Sequence, residues 1–392
     1  MTRRSIADAD VRGKRVLVRV DFNVPLEHGD ITDDTRIRAA LPTIAALREG
    51  GAAIILATHL GRPKGKPDPR YSVAPVARRL SELLGAPVAT VPAVVGPEAA
   101  AAAAALGPGD VLLLENTRFE PGEESNDPAL AAKLSELADL FVNDAFGAAH
   151  RAHASTVGVA ALLPAYAGLL LQREERVLSG LLAQPERPFI AILGGAKVSD
   201  KLAVVEHLLP RVDVLLLGGG MANTLLLAKG LDIGLSLAEP ELVEEARSLM
   251  SAANEQGVSL LLPSDVVTAP AIESDSTTIA AVERIPAGYA AFDIGPATVK
   301  AFCEEIARAR TIFWNGPMGV FERQPFAGGT VGIARCIAAA DAFTVIGGGD
   351  SVAAVEHAGL SSGIDHISTG GGASLEFLEG RELPGIAAIP QA

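Results

Sequence analysis

Residues 189–201 read FIAILGGAKVSDK, and this stretch decides the fold. Five apolar residues, Phe189 to Leu193, stop at a pair of glycines. A polar segment with two lysines then opens a helical pattern at 201–209. A short, unbroken apolar run is what a strand covered on both faces looks like. Strand, glycine loop and helix start together make half of a parallel βαβ unit. Working outward, the same order recurs. Apolar runs lie at 15–20, 52–57, 111–114, 140–143, 212–217, 259–262, 311–314 and 342–346. Helices are predicted over 72–84, with Ser72 as N-cap and Gly85 as C-cap, and over 240–256. The alanine-rich segment 97–106 reads as a plain surface helix. Alternating strand and helix means parallel sheets with right-handed crossovers, so the fold class is α/β.

A chain of 392 residues is too long for one ordinary core and fits two domains. Residues 166–182 read as a helix that leaves one core and enters the next, and the run Gln184 to Pro188 stops it. The expectation is two Rossmann-like domains, each a parallel sheet flanked by helices, joined by this hinge helix. The first then spans 1–168 and the second 169–374.

Composition removes several classes of function. The net charge of -14 argues against nucleic acid as partner, because a nucleic-acid binder needs a basic face. The basic residues of interest are isolated in loops, which is how small anions are gripped. Cys303 and Cys336 are the only cysteines. They make no disulfide framework and no CxxC metal site, which fits a reducing cytosol. The N-terminus has no apolar signal core, and the apolar runs are too short to span a bilayer. The protein therefore reads as cytoplasmic, with no membrane partner. No long apolar stripe demands a second copy, so a monomer is expected.

Ligands of open parallel sheets bind beyond the carboxyl ends of the strands, and the polar residues of this chain gather there. Asp21 and Asn23 follow the first run, His59 and Arg62 the second, Arg118 the third and Arg151 the fourth. Arg36 begins a predicted helix, where positive charge is disfavoured by the helix dipole unless an anion sits beside it. Arginine's planar fork matches phosphate and carboxylate oxygens. In the second half, Gly194, Gly195, Ala196, Lys197 and Lys201 form one strand-to-helix loop, and Gly347 to Ser351 form another. Such loops bring backbone N–H groups to phosphate. Asp350 can hold magnesium or simply cap a helix, and both readings stay open. Neither a Walker A loop nor a GxGxxG fingerprint is present.

Taken together, these loops resemble phosphoglycerate kinase. The motifs are RVDFNVP at 19–25, HLGRP at 59–63, ENTRF at 115–119 and NDAFGAAHRAH at 143–153. They continue with GGAKVSDK at 194–201, GGGMAN at 218–223, FWNGPMGVFE at 313–322, GGGDS at 347–351 and STGGGASLE at 368–376. Their order is the family's, and they cover essentially the whole chain. The resemblance implies that Asp21, Asn23, Arg36, His59, Arg62, Arg118 and Arg151 bind 3-phosphoglycerate. It implies nucleotide contacts from Gly195, Ala196, Lys201, Gly220, Gly295, Asn315, Glu322, Gly348, Gly349, Asp350 and Ser351. Arg36 and Lys197 would serve catalysis, and Asp350 the magnesium ion that accompanies ATP or ADP. Ser351 stands where many members have threonine, and the hydroxyl is kept. The resemblance also implies that residues 375–392 return to the N-terminal domain. The reaction implied is reversible phosphoryl transfer between ATP and the carboxylate of 3-phosphoglycerate in glycolysis, with hinge-bending closure. A non-catalytic binder on the same scaffold is the alternative; it would be expected to lose Arg36, Lys197 or Asp350, and all three are present. A dehydrogenase is disfavoured by the missing GxGxxG.

Overall fold

The computed structural model describes residues 3–392. The chain divides into two compact units. One runs up to Arg176 and includes Glu382–Ala392; the other is Val177–Arg381. In chain order the first contains β1 (Arg15–Arg19), a small hairpin of β2 (Leu26–Glu27) and β3 (Asp30–Ile31), α1 (Thr35–Glu49) and β4 (Ala53–Ala57). Next come α2 (Ala74–Leu84), β5 (Val88–Thr90), α3 (Pro97–Ala104), β6 (Val111–Leu113), α4 (Pro128–Ser135), β7 (Leu140–Asn143) and β8 (Ala165–Ala167). The long helix α5 (Leu169–Ala183) follows, and the boundary between the units falls within it.

The first sheet is parallel, in the order β5-β6-β4-β1-β7-β8. Its side chains alternate between two cores. Val16, Val18, Ile54, Leu56 and Leu113 face one layer, and Leu17, Ile55 and Leu112 the other. That two-sided burial is why β4 reads as an unbroken apolar run.

The second unit contains β9 (Phe189–Leu193), α6 (Leu202–Leu208), β10 (Val214–Leu217), α7 (Gly219–Ala228), α8 (Val243–Glu255), β11 (Ser259–Leu261), β12 (Asp265–Ala269), β13 (Thr278–Ala281) and β14 (Ala290–Ile294). It continues with α9 (Pro296–Ile306), β15 (Thr311–Asn315), α10 (Gly328–Ala338), β16 (Phe343–Gly347), α11 (Gly349–His357), β17 (His366–Ile367) and α12 (Gly372–Leu378). Its parallel sheet has the order β11-β10-β9-β15-β16-β17. A separate antiparallel sheet, β13-β12-β14, stands beside it. A short helix, α13 (Pro384–Ala387), lies in the tail of the first unit. Asn143 Nδ2 donates to Gly385 O, and Arg4 N donates to Pro390 O, both at 2.9 Å. The chain is thus a two-domain α/β fold.

Three local expectations are corrected. Tyr166 and Ala167 belong to strand β8, so the long helix starts only at Leu169. At α2, Val73 rather than Ser72 holds the N-cap position. The reason is Glu115, whose carboxylate accepts from Val73 N and from the Ser72 hydroxyl. Finally, Cys303 and Cys336 are joined as a disulfide between α9 and α10, with Cα atoms 5.6 Å apart. Two cysteines make no framework, but these two face each other across a packed helix pair, which spacing in sequence does not reveal.

Candidate functional site

In the first unit, the loops beyond β1, β4, β6 and β7 carry the basic and polar groups. Asp21 is nearly buried and accepts from Arg36 Nη1 at 2.8 Å. Arg36 is the second residue of α1, and its side chain is 31% exposed, so one face of the guanidinium remains available to a ligand. Asn23 Oδ1 accepts from Gly61 N at 2.8 Å, tying the loop after β1 to the loop after β4. Arg118 is anchored by donating to Gly61 O at 2.7 Å and pairs with Glu124. Burial lowers its pKa from the ordinary arginine value, and the charges of Arg151 and Arg19 act in the same direction. Arg62 and Arg151 are exposed. Arg151 Nε donates to His150 Nε2 at 3.1 Å.

His59 is buried, with Nδ1 3.1 Å from Arg19 Nη2. Arginine has only donors, so Nδ1 accepts and the ring proton sits on Nε2. Burial pushes the His59 pKa well below the usual histidine range, and the charges of Arg19 and Arg118 add to this. The imidazole is therefore neutral at physiological pH. Beneath it, fully buried Arg19 also donates to Ser155 Oγ at 2.8 Å, and Ser155 in turn donates to Glu123.

In the second unit, the first glycine loop follows β9. Lys201 is buried at its end, where Nζ donates to Gly194 O and, at 2.9 Å, to Asn315 O. Burial lowers its pKa to about 8, and Asp350 and Asp200 oppose that shift. Lys197 is exposed on the same loop. Gly195 has φ +108°, which a side chain would strain. A Cβ on Gly220 would strike the Ala196 backbone, so α7 approaches this loop closely only because glycine is there.

These segments surround a cavity of about 540 Å³. Gly195, Ala196, Gly220, Glu322 and Asp350 line it, with apolar walls from residues such as Leu237 and Phe292. Lys201, Gly295, Asn315, Gly348, Gly349 and Ser351 are not among its lining residues. Several of them hold the loops that form it. Gly316 N donates to Ser351 Oγ, Gly295 is the N-cap of α9, and Gly348 that of α11. Asn315 Nδ2 is buried without a hydrogen-bond partner. Asp350, in the first turn of α11, is exposed.

Several buried ionisable groups carry no role in the sequence reading, among them Arg19, Glu123, Asp144 and Asp293. Arg19 and Asp144 fall inside the motifs at 19–25 and 143–153, but nothing in the residues there separates them from a strand end or a surface acid; Glu123 and Asp293 sit in no motif at all.

The fold is a two-domain α/β architecture of the kind that phosphotransferases use, with basic side chains gathered beyond the strands of one unit and a glycine-lined, largely apolar cavity on the other. A sequence profile described as phosphoglycerate kinase matches residues 6–381. Relatives of that name from Chloroflexus aurantiacus and Moorella thermoacetica are 59% and 57% identical, with all of both chains covered. The phosphoglycerate kinase structure from Coxiella burnetii is 43% identical with a TM-score of 0.89, covering 98% of each chain. That from Pyrococcus horikoshii is 37% identical with a TM-score of 0.85, covering 99% of this chain and 98% of its own. The chain belongs to the phosphoglycerate kinase family, and it is a glycolytic kinase. Among the described residues no helix is long and apolar enough to cross a membrane.

Proposed function

We propose that the unit carrying Arg36 binds 3-phosphoglycerate, that the unit carrying Lys197 binds ATP or ADP with magnesium, and that closure about the α5 region unites them. The observation that carries this reading is the basic rim of the first unit. Strands β4, β6 and β7 of one sheet each lead into basic side chains, around an Arg36–Asp21 pair that leaves Arg36 partly open. Arg36, Arg62, Arg118 and Arg151 suit an anion with a phosphate and a carboxylate. Asp21 and Asn23 orient the loops and can meet a hydroxyl. His59, held neutral with its proton on Nε2, supplies a hydrogen bond rather than a charge.

The cavity of the second unit suits a nucleotide. Its apolar walls take a base, Glu322 can accept from ribose hydroxyls, and Lys201 with the N-terminus of α11 favours phosphate. Among the described residues no three His, Cys, Asp or Glu side chains cluster as metal ligands. Magnesium bound through nucleotide phosphates needs only one or two carboxylates, and Asp350 at the start of α11 fits that need. When bound there it would help neutralise the phosphate charge.

The substrate carboxylate is ionised at neutral pH, so the chain need supply no general base. The obstacle is an anion approaching a polyanion. Arg36 from one side and Lys197 from the other supply positive charge to the oxygens of the transferring group, and closure excludes water that would divert it. A non-catalytic role on this scaffold has no support from the comparisons. We place the enzyme in the cytoplasm as a monomer acting on these small molecules, on the strength of its glycolytic relatives and not of its cysteines, which are bridged. Isothermal titration of each ligand separately tests the division. Arg36→Ala should weaken 3-phosphoglycerate and leave MgADP unchanged, and Glu322→Ala should do the reverse. Loss of both ligands in either variant would sink the assignment.

A further inference from the structure

Asp293 is a buried carboxylate on β14 with no cation beside it. Its neighbour Phe292 forms part of the nucleotide cavity wall, and Asp293 itself reaches that cavity. Oδ2 accepts from Gly329 N at 2.6 Å, at the start of α10, and Oδ1 accepts from Ile294 N at 2.9 Å. Burial raises its pKa to about 7, and only the two backbone N–H groups oppose that rise. An uncompensated buried carboxylate destabilises a fold, and an apolar or amide side chain would be easier to bury there. Its presence there calls for a reason other than stability.

The segment between β15 and α10 supplies one. It carries Glu322, and it is fastened to β14 at Val320 before that residue and at Gly329 after it, with Met318 tied to α10. Val320 N donates to Phe292 O at 2.9 Å, and Met318 N donates to Thr330 Oγ1 at 3.0 Å. A Cβ on Gly319 or on Gly329 would overlap the Asp293 carboxylate, so both glycines close directly onto it. We propose that Asp293 is a positioning residue for the nucleotide: its carboxylate seats the Gly316–Glu322 loop and the start of α10 on β14, and so fixes where Glu322 meets the ligand. This rests on the reading of the cavity as the nucleotide site.

Asp293→Asn keeps the shape and loses one acceptor, leaving a donor against a donor. The hydrogen bond lost lies within the protein and reaches the nucleotide only through the displaced loop, so its whole worth, about tenfold in affinity, is the ceiling of the expected effect. The experiment is calorimetric titration of full-length enzyme with MgADP, alongside steady-state kinetics with both substrates. Asp293→Asn should raise the dissociation constant of MgADP and the KM for ATP by up to about tenfold. The kcat and the KM for 3-phosphoglycerate should stay within about twofold of the parent, a split that a general weakening of the fold would not give. Gly319→Ala puts a methyl group against the Asp293 carboxylate, pushes the same loop off β14 and should show the same nucleotide-selective loss; it decides the matter if Asp293→Asn does not fold. Unchanged MgADP binding in a folded variant, or equal losses for both substrates, would overturn the proposal. Glu322→Ala separates the two readings. If it weakens MgADP while Asp293→Asn does not, only the positioning role fails; if it does not weaken MgADP, the site assignment fails first.

Discussion

Asp144→Asn should change how the stability of this enzyme depends on pH. Asp144 is fully buried after β7 and caps a helix to which it does not belong. Its Oδ1 accepts from Leu170 N at 2.9 Å and from Leu171 N at 3.3 Å, while Thr43 Oγ1 accepts from Leu169 N at 2.9 Å. The first N–H groups of α5, which no intrahelical bond can satisfy, are thus met from other elements. Gly168 must be glycine because a Cβ would overlap the Asp144 carboxylate. Burial raises the Asp144 pKa to about 7, against the opposing hydrogen bonds from Thr43, Leu171 and Leu170. In the unfolded chain it titrates near the ordinary value of about 3.9. Between those limits the folded state binds the extra proton, so stability falls as pH rises, and it levels off above about 7. Asparagine accepts the same helix N–H groups and cannot titrate. From about pH 5 to about pH 7, at about 1.4 kcal/mol per unit, Asp144→Asn should gain about 2–3 kcal/mol relative to the parent. Urea unfolding followed by far-ultraviolet circular dichroism at several pH values measures this. The difference between the two proteins is the quantity of interest, because Asp293 titrates in both and cancels. A difference flat to within about 0.5 kcal/mol over that range would refute the assignment of a raised pKa to Asp144.

The remaining predictions address the site and the disulfide. Arg36→Ala and Lys197→Ala should each lower kcat by about 10²–10³ with folding intact, in a coupled assay of 3-phosphoglycerate phosphorylation; near-normal turnover in either removes that residue from the chemistry. Lys201 loses its proton as pH rises through about 8, so the KM for ADP should climb above that pH, and a flat profile to about pH 9.5 would contradict the buried ammonium. The Cys303–Cys336 bridge spans 33 residues, so the chain-entropy relation gives about 3–4 kcal/mol of stabilisation. Thermal unfolding followed by the emission of Trp314 should shift downward with a phosphine reductant, and two titratable thiols in the native, unreduced protein would disprove the bridge. Small-angle scattering should show a smaller radius of gyration when both substrates are bound than with either alone; no change would count against closure.

The strands most legible in the sequence were those buried on both faces. β4, β9 and β15 carry no exposed position, and each stands out as an apolar run. Among the strands that escaped, some have a wet face or little length, while β12 and β14 have no exposed position but carry a buried aspartate, Asp265 or Asp293, that breaks the apolar run. β5 has two exposed residues of three, and β13 has three of four. β8 was absorbed into the helix that follows one residue later, because Ala165-Tyr166-Ala167 has no pattern of its own. At the site, the loop residues could be read from motif and position after a strand. The groups that position them could not. Arg19 looks like a strand end, and Asp144 and Asp293 look like any acid until burial and the glycines packed on them are seen.

The first unit is assembled from two stretches far apart in sequence, with Glu382–Ala392 packed against residues that precede Arg176. During synthesis, Glu382–Ala392 leave the ribosome only after all of Val177–Arg381 has emerged. The second unit can therefore finish folding while the first still lacks α13 and the backbone partner of Asn143. All of Val177–Arg381 must be made before the first unit is complete. A nascent chain stalled short of Glu382 would thus present a finished second unit and an unfinished first one, and Glu382–Ala392 act as the latch that completes the order of assembly.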